Sequence, residues 1–414
     1  MCEKKLVPKL RFSGFNETWV KSNLGNVSSD EMYGMNSAAT DFDGFNKYIR
    51  ITDISESSNK FVPSPLTSPD GNLDEKFKLK EGDIVFARTG ASTGKTYIYD
   101  KNDGNLYFAG FLIKFNINKA YPKFVFYNTL KDEYKNWVSV MSVRSGQPGI
   151  NSNEYKKLPL NIPSLDEQKK ISDFLESIDS KINLLKKKYE YYQEFKKYLM
   201  QQIFAGKLRF DFNDDWQDHT FKELLIEVNE KTTVNNQHEI LSSTKEGIFT
   251  QKEYFANRNV ASKDNTGYKI LRKNQIVLSP QNLWMGNINV NTEFEIGIVS
   301  PSYKIYETTD LIEIDYFKHI IKLPRLIYEY KCASEQGASI VRRNLNKQLF
   351  DEITISIPSL KEQQKIGNML TLIDKKITET SKQIDESKEF KKGLLQQMFD
   401  NMLFKNIIYK LFLN

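Results

Sequence analysis

The sequence contains few of the residues that usually build a catalytic or metal site. Its 414 residues include 2 Cys and 3 His. Cys2 and Cys332 can form neither a CxxC knuckle nor a disulfide framework, which favours a reducing cytoplasm. His219, His238 and His319 are far apart in sequence, so neither a metal site nor a histidine-based triad is indicated. We therefore expect a chain that catalyses no reaction by itself.

Long hydrophobic runs are also missing. No apolar stretch approaches the ~18 residues that a membrane span needs, and the start, MCEKKLVPKLRF, lacks the apolar core of a secretory signal. No membrane partner is expected. The net charge is +6 and the pI is near 8.8. That charge is compatible with binding to a polyanion but does not demonstrate it.

What the sequence does contain is a long internal repeat. IPSLDEQKKI begins at Ile162 and returns as IPSLKEQQKI at Ile357, and the two copies align without a gap to Phe204 and Phe399. A second echo, KLRF, stands near the amino terminus and again directly after the first repeat, followed each time by a tryptophan. The order variable, repeat, variable, repeat is therefore circular. It predicts a pseudo-two-fold pair whose chain termini lie near each other.

Each repeat is predicted to be one long helix. Ser164-x-x-Glu167 and Ser359-x-x-Glu362 have the spacing of a capping box, in which the two side chains bond to the backbone of the first turn. Gly206 is placed to end the first helix. Apolar residues recur at alternating spacings of three and four, which predicts a heptad seam against a partner helix. The seam residues are Ile171, Leu175, Ile178, Ile182 and Leu185 in the first copy and Ile366, Leu370, Ile373 and Ile377 in the second.

The two variable regions are each of ordinary domain size and combine strand-like with helical patterns. GDIVFAR, NLYFAGFLIKF, NQIVLSP and FEIGIVSPSYKIY are typical of strands, whereas YPKFVFYNTLKDEYKNWV and IDYFKHIIKLPRLIYEY each predict a helix. The predicted fold class is α+β: two mixed α/β domains joined by two long helices packed as an antiparallel coiled coil. The predicted segments are 1–161 (first domain), 162–206 (first helix), 207–356 (second domain), 357–400 (second helix) and 401–414 (a tail packed as a terminal helix).

Three short stretches imitate catalytic motifs without completing them. RTGASTGKT, residues 88–96, is one residue too short for the phosphate-binding pattern G-x-x-x-x-G-K-[ST], and we expect a glycine-rich hairpin. SPSY, residues 300–303, lacks the Asn and the second Pro of the N-P-P-Y loop of amino-methyltransferases and is interpreted as a strand end. PDGNLDEK has its aspartates too close together for a nuclease site on two strands, so it predicts a turn.

The segment order and motifs resemble the specificity subunit of Type I restriction-modification enzymes. The resemblance rests on PxLxEQxxI at Pro163 and Pro358, on GDIVFARTGASTGK and on KLRF followed by Trp, and it covers nearly the whole chain. It implies that each variable region is a target recognition domain reading half of a bipartite site in double-stranded DNA. It also implies that the helices set the gap between the half-sites and carry two modification (methyltransferase) subunits, with restriction subunits outside. S-adenosylmethionine, ATP and Mg²⁺ would then belong to those partners, leaving no cofactor in this chain.

Polar and basic residues in glycine-rich or polar loops are the candidates for DNA contact. Hydrogen bonds at base edges read sequence, and cations on phosphates fix position. A solvated surface position is the alternative for each candidate, and the alternative function is a bivalent coiled-coil scaffold that joins two proteins without reading DNA. The candidates are Arg88, Ser92, Lys95, Arg144 and Gln147 in the first region and Gln281, Asn282, Asn287, Arg342 and Arg343 in the second.

Overall fold

The computed structural model of the chain describes residues 7–144, 146–255, 264–336 and 343–399. These residues form two compact units. The first unit comprises the chain up to Lys187 together with the part from Ser381 onward, and the second spans Lys188–Thr380. Each unit therefore contains one variable region and a half of each long helix. The tail at 401–414 lies outside the described residues.

The first variable region alternates short strands with short helices. Its strands are β1 (Val20–Asn23), β2 (Ser28–Tyr33), β3 (Ala39–Asp41), β4 (Lys47–Ile49), β5 (Thr67–Pro69), β6 (Asp83–Ala87), β7 (Thr96–Ile98), β8 (Leu106–Phe108), β9 (Leu112–Ile117) and β10 (Pro159–Ile162). Its helices are α1 (Leu24–Val27), α2 (Pro122–Asn128), α3 (Asp132–Met141) and α4 (Ser152–Tyr155).

An antiparallel sheet with the order β2-β9-β6-β7 forms the centre of this region. All five residues of β6 are buried, because both faces of the sheet are covered. Ile84 and Phe86 pack into one cluster with residues of α2, and Val85 packs into a second cluster with Leu106 on the other face. This double burial explains why GDIVFAR is apolar throughout instead of alternating.

The first long helix is α5 (Leu165–Phe204), and the second variable region follows it. The strands of that region are β11 (Gln217–Thr220), β12 (Leu225–Val228), β13 (Leu241–Ser243), β14 (Ile248–Thr250), β15 (Lys269–Arg272), β16 (Ile276–Leu278), β17 (Ile288–Val290), β18 (Ile296–Val299), β19 (Lys304–Thr308), β20 (Ser334–Gln336), β21 (Arg343–Leu345) and β22 (Thr354–Ile357). The helices are α6 (Phe221–Leu224), α7 (Gln251–Tyr254), α8 (Ile314–Ile320), α9 (Pro324–Cys332) and α10 (Lys347–Asp351), and α11 (Leu360–Phe399) is the second long helix.

The second region repeats the topology of the first. Its sheet has the order β12-β19-β16-β17, and α8 and α9 follow β19 as α2 and α3 follow β9. In both regions the first strand pairs antiparallel with the last, β1 with β10 and β11 with β22. Each variable region thus begins and ends beside the start of a long helix, and the predicted common architecture is confirmed.

Several elements are shorter than the sequence patterns predict. YPKFVFYNTLKDEYKNWV forms two helices, α2 and α3, because Lys131 is extended and begins a new helix. IDYFKHIIKLPRLIYEY is likewise broken, with Leu323 extended before Pro324 at the first turn of α9; a proline disfavours helical backbone in the residue before it. NLYFAGFLIKF contains β8 and β9 with a turn at Gly110 between them. The predictions of one helix or one strand for these runs are wrong.

The loops that imitate catalytic motifs have the predicted character. RTGASTGKT connects the antiparallel strands β6 and β7, so a strand follows it where a phosphate-binding loop requires a helix. SPSY is the turn between β18 and β19, and PDGNLDEK follows β5 into a short 3₁₀ turn capped by Asp74. Within the described ranges, no group of three or more His, Cys, Asp or Glu is arranged to hold a metal ion. No helix there is long and apolar enough to cross a membrane.

The predicted seam residues of α5 and α11 pack in both units. In the first unit Ile171, Leu175, Ile178 and Ile182 are buried with the end of α11 from Leu394 to Phe399 and with aromatic residues of the variable region. In the second, Leu199 and Ile203 of α5 are buried with Ile366, Leu370 and Ile373 of α11. Leu185 and Ile377 are half-buried. The apolar stripe therefore packs against a variable region as well as against the other helix.

Equivalent ion pairs fix the direction of the two helices. Lys391 donates to Asp179 at 2.5 Å in the first unit, and Lys196 donates to Asp374 at 2.6 Å in the second. The step forward along α5 from Asp179 to Lys196 matches an equal step backward along α11, so the helices run antiparallel. Each aspartate occupies the same place in its repeat as the other, and so does each lysine, so the two repeats make the same contact within their respective units.

Each ion pair also joins its helices to a ring of the neighbouring variable region. Tyr127, near the end of α2, donates to Asp179 at 2.9 Å. At the equivalent place in α8, His319 lies 3.6 Å from Asp374. Burial, reinforced by the charge of Lys196 and opposed by Asp374, lowers the pKa of His319 to about 4. The histidine is therefore neutral at neutral pH.

The KLRF echo has a structural explanation in the repeated glutamates. Arg11 donates twice to the buried Glu167, at 2.7 Å each, and Arg209 donates to the buried Glu362 at 3.1 and 2.7 Å. The capping box predicted at Ser164 is therefore half correct, and the glutamate contact predicted for the box at Ser359 is also wrong. Ser164 accepts from the Glu167 amide at 3.4 Å, but the glutamate carboxylates bind arginine instead of returning to the backbone.

The circular order is confirmed in the backbone. The amide of Leu10 donates to the carbonyl of Gln397 at the end of α11, at 2.9 Å, as the amide of Leu208 donates to Gln202 at the end of α5, at 3.1 Å. The amino-terminal KLRF thus follows α11 in space as the second KLRF follows α5 in sequence. Gly206, with φ of +69°, turns the chain after α5 as predicted.

Candidate nucleic-acid interface

In the first region, two loops that carry predicted DNA contacts meet. The β6–β7 loop and the loop between α3 and α4 bond to each other through the amide of Gly90 and the carbonyl of Pro148, at 3.0 Å. Gln147 is exposed, and its amide nitrogen would lie 3.0 Å from a Cβ at Gly90. The structure therefore brings Arg88, Ser92, Lys95, Arg144 and Gln147, from two distant stretches of sequence, into one loop cluster.

Arg88 is held at the centre of this cluster by rings and by one carbonyl. Its Nε donates to the carbonyl of Gly110 at 3.0 Å. The guanidinium carbon lies 5.1 Å from the ring centroid of Tyr33 and 6.0 Å from that of Phe111. Phe111 is 61% exposed, and the Tyr33 hydroxyl accepts from the amide of Ser152 at 3.1 Å. The guanidinium is thus oriented at a surface that retains exposed aromatic area.

The other first-region candidates differ in how much of their side chain is available. Lys95 pairs with Glu56 at 3.1 Å and is largely buried, and Ser92 is half-buried in the turn. Arg144 donates to both oxygens of Glu154 at 2.6 Å and to the carbonyls of Met141 and Val143. Its guanidinium closes the loop after α3, so its position favours a structural role over a base contact.

The second region has an equivalent junction of loops built from different residues. The amide of Arg343 donates to the carbonyl of Gln281 at 3.2 Å, which joins the loop after β16 to the strand β21. The Arg343 guanidinium carbon lies 4.7 Å from the ring centroid of Trp284. Gln281 is exposed and Asn282 is half-buried. Arg342 lies outside the described residues.

Asn287 does not fit its predicted contact with bases. Its side chain is buried, its Oδ1 accepts from the Ser243 hydroxyl at 2.8 Å and its Nδ2 donates to the Ser243 carbonyl at 2.9 Å. A side-chain amide that is satisfied inside the protein supports the loop and presents no donor or acceptor to DNA. Contact with DNA by the other candidates stays a prediction.

Sequence reasoning missed three aromatic residues at these junctions: Tyr33, Phe111 and Trp284. Phe111 and Trp284 stand next to or near a turn glycine, in AGF and in LWMG, where an aromatic side chain has no obvious place in a core. That context is a usable signal for an exposed ring. Tyr33 ends β2, and its approach to Arg88 depends on strand pairing that the sequence does not specify.

The two variable regions have one topology but different loops, and a pair of repeated helices connects them. This is the architecture of a protein with two separate binding regions. The family model described as type I restriction modification DNA specificity domain matches residues 16–191 and again 213–387. The chain belongs to this family and carries two copies of the domain. Each match includes a variable region and part of the long helix that follows it.

Individual relatives agree with the family match. The chain is 25% identical over 345 residues to a putative type I restriction enzyme MjaX specificity subunit of Methanocaldococcus jannaschii, covering 77% of this chain and 78% of that protein. It is 27% identical over 172 residues to the HindI specificity subunit of Haemophilus influenzae, covering 40% of this chain and 36% of that protein.

Solved structures share the fold. An S subunit of a Type-I restriction-modification system from M. genitalium matches with a TM-score of 0.59 at 17% identity, over 96% of this chain and all of that one. A chain from a study of complex assembly and conformational transition in the type I R-M system matches with a TM-score of 0.52 at 17% identity, over 94% of this chain and 99% of that one.

Proposed function

We propose that the chain reads a bipartite site in double-stranded DNA, with one half-site for each variable region. One observation carries this proposal: the two units share a topology and an equivalent Asp–Lys pair between the long helices, but they differ in the loops that meet at Arg88 and at Arg343. A shared topology with different loops is what we expect of two regions that recognise different DNA sequences. The proposed partners are DNA, two modification subunits carried on the helices, and restriction subunits that join outside.

The chain itself is proposed to be non-catalytic. S-adenosylmethionine, ATP and Mg²⁺ belong to the partner subunits in this proposal, and the complex acts on DNA in the cytoplasm. Incubation of the purified chain with DNA and these three compounds should give neither methylation nor cleavage. Either product, formed without a partner subunit, would contradict this part of the proposal.

Mapping of methylated sites in the host genome tests DNA reading directly. We expect modified sites made of two short specified sequences separated by a fixed unspecified gap, and we expect them to vanish when the gene is deleted. Exchange of residues 13–161 for the equivalent region of another family member should change one half-site and leave the other as it was. Loss of the gene without any change in methylation, together with partner binding that persists at high salt and the absence of a DNA footprint, would favour a protein scaffold.

A further inference from the structure

The arginines in the described ranges differ in what holds the guanidinium, which is an aromatic ring, a backbone carbonyl or a carboxylate. Arg88 and Arg343 lie over aromatic rings and have no carboxylate partner among the described residues. Arg325, on α9, donates to the carbonyl of Thr354. The arginines that donate to a carboxylate are Arg11, Arg50, Arg144, Arg209 and Arg272.

The kind of partner decides what an arginine can still bind. A carboxylate occupies the in-plane N–H donors of the guanidinium fork. A ring occupies the face of the group and leaves the in-plane donors free, while it restricts rotation of the plane. In Arg88 the Nε is also fixed to Gly110, and in Arg343 the Nε is buried, so the terminal nitrogens are the donors that remain in both. An oriented fork with free in-plane donors is the group that binds O6 and N7 of guanine in the major groove.

Both ring-held arginines occupy the same place in their regions although they come from different positions in the chain. Arg88 follows β6 directly. In the second region Pro280 is the counterpart of Arg88 when both are counted from the isoleucine of β6 and of β16, and the arginine is supplied by β21 across the loop junction. Trp284 takes the role that Tyr33 and Phe111 have in the first region. Both regions therefore place an arginine over an aromatic ring at the loop junction, although different segments of the chain supply it. A chance contact would not be expected to occur at the equivalent junction twice.

We propose that Arg88 and Arg343 each read a guanine, one in each half of the DNA target. Tyr33 and Phe111 in the first region, and Trp284 in the second, are positioning residues that hold the guanidinium plane. This inference rests on the proposed function, because it requires that the loop junctions face DNA. It adds that each half-site contains at least one G·C pair and names the side chain that reads it.

Selection from a randomised duplex library, with the full chain and the modification subunits of its host, tests the inference. Arg88→Ala should lower discrimination at a single G·C pair of one half-site by roughly ten- to hundred-fold, and Arg343→Ala should do so in the other half. Arg88→Lys keeps the charge but not the fork and should lose the same discrimination. Arg272→Ala is the control: it removes an arginine that is bound to Glu230 and is not part of either loop junction, and the preferred sequence should not change.

The positioning residues have a separate readout. Phe111→Leu should weaken discrimination at the base pair that depends on Arg88 without changing the preferred base, whereas Phe111→Tyr keeps the ring and should restore it. Replacement of that guanine by 7-deazaguanine removes N7 and should weaken binding by wild-type protein. It should have little further effect on Arg88→Ala, because the contact is already absent.

The outcomes separate the inference from the proposed function. If wild-type protein enriches a bipartite sequence and the Arg88 and Arg343 variants keep every G·C preference, the inference is overturned and the proposed function stands. If wild-type protein enriches no sequence, the proposed function fails and the inference fails with it. An unstable Arg88→Ala protein leaves Arg88→Lys and the 7-deazaguanine duplex to decide.

Discussion

The carboxylate of Glu167 is buried and depends on Arg11, whose side chain is 11% exposed. Loss of one partner from a buried pair leaves an uncompensated charge, which costs about 3–5 kcal/mol. We therefore expect Arg11→Met to lower the free energy of unfolding by about that amount, measured by urea denaturation. The double change Arg11→Met with Glu167→Met removes both charges and should restore most of the loss.

An exposed pair provides the control for this experiment. Arg272 and Glu230 donate and accept in the same bidentate way, but their side chains are 51% and 42% exposed. Such pairs contribute at most about 1 kcal/mol, so Arg272→Met should have a small effect. Equal losses for Arg11→Met and Arg272→Met would show that the KLRF arginine does not stabilise the start of the helix.

His319 makes the stability of the second unit depend on pH. Its pKa is about 4 in the folded protein against 6.5 for the free side chain, chiefly because it is buried. As the pH falls from 6.5 towards 4, the unfolded chain binds a proton that the folded chain does not, so stability decreases across that window. Each pKa unit corresponds to ~1.4 kcal/mol, so the loss approaches roughly 3 kcal/mol.

Unfolding measured at intervals between pH 7 and pH 4 checks this prediction. His319→Tyr is the matched variant, because tyrosine is the residue at the equivalent place in the first unit, where Tyr127 bonds to Asp179. The variant should retain other acid-dependent losses and lack the part due to His319. Identical pH profiles for the two proteins would contradict the assignment.

Individual contacts were the least predictable level of this molecule. From the composition of their loops, Arg88 and Arg144 were equally good candidates for DNA contact. Only the fold shows that Arg88 lies over aromatic rings and that Arg144 donates to Glu154. Asn287 resembled a surface residue in a polar loop, yet β13 brings Ser243 to both ends of its amide. Partners that are distant in sequence decide whether a polar side chain is free, and a single sequence does not contain them.

At the scale of elements, close approach of backbone explains an interruption in the repeat. Ser172 of α5 corresponds to Gly367 of α11. A Cβ at Gly367 would lie 2.8 Å from the amide of Tyr316 at the start of α8, a distance that requires the helices to separate. We expect Gly367→Ser to cost about 1–3 kcal/mol through overpacking, even though serine favours a helix more than glycine does.

The reciprocal change isolates the cause. Ser172→Gly removes a small buried side chain whose hydroxyl donates to Gln168, and it should cost about 1 kcal/mol, mainly through helix propensity. Urea unfolding of both variants compares the two losses. A Gly367→Ser protein as stable as wild type would show that α8 and α11 can move apart freely.

The extent of the long helices was predictable because periodicity accumulates over many turns. Both observed helices begin and end close to the limits of the predicted repeat. The shorter elements followed the sequence less well, because the apolar runs of α2 and α3, and of β8 and β9, continue across a turn without a change in pattern. Pro324 marks the break between α8 and α9 in the sequence, whereas neither a proline nor a glycine marks the break at Lys131, after which Tyr134 of α3 is buried with residues of the sheet.

At the scale of the whole molecule, repetition carried more information than composition. The repeated decapeptide and the repeated KLRF predicted the antiparallel helices and the circular order. The arginine of each KLRF binds the glutamate of a decapeptide, Glu167 or Glu362, which explains why both sequences recur. The differences between the regions were not predictable in the same way. Arg343 replaces Arg88 from another strand, so an alignment of the two halves would not have matched them.

Helix length provides a prediction at this scale, since the boundary between the two units follows Lys187 in α5 and Thr380 in α11. If the helices set the gap between half-sites, insertion of seven residues after Leu185 and seven after Thr380 should lengthen it. Seven residues keep the heptad seam in phase and add ~10 Å to each helix. At ~3.4 Å per base pair, the unspecified gap should grow by up to about three base pairs.

Rotation of the DNA decides how this experiment must be read. Three additional base pairs turn the second half-site by ~100°, taking about 10.5 base pairs as one turn, so weaker binding to any single duplex has two explanations. Selection from a library that contains gaps of every length separates them, because it reports the preferred gap itself. Insertion of four residues in each helix is the control: it rotates the seam out of phase and should destabilise the packing of α5 on α11. A folded seven-residue variant that binds DNA and still prefers the original gap would show that the helices do not set the spacing.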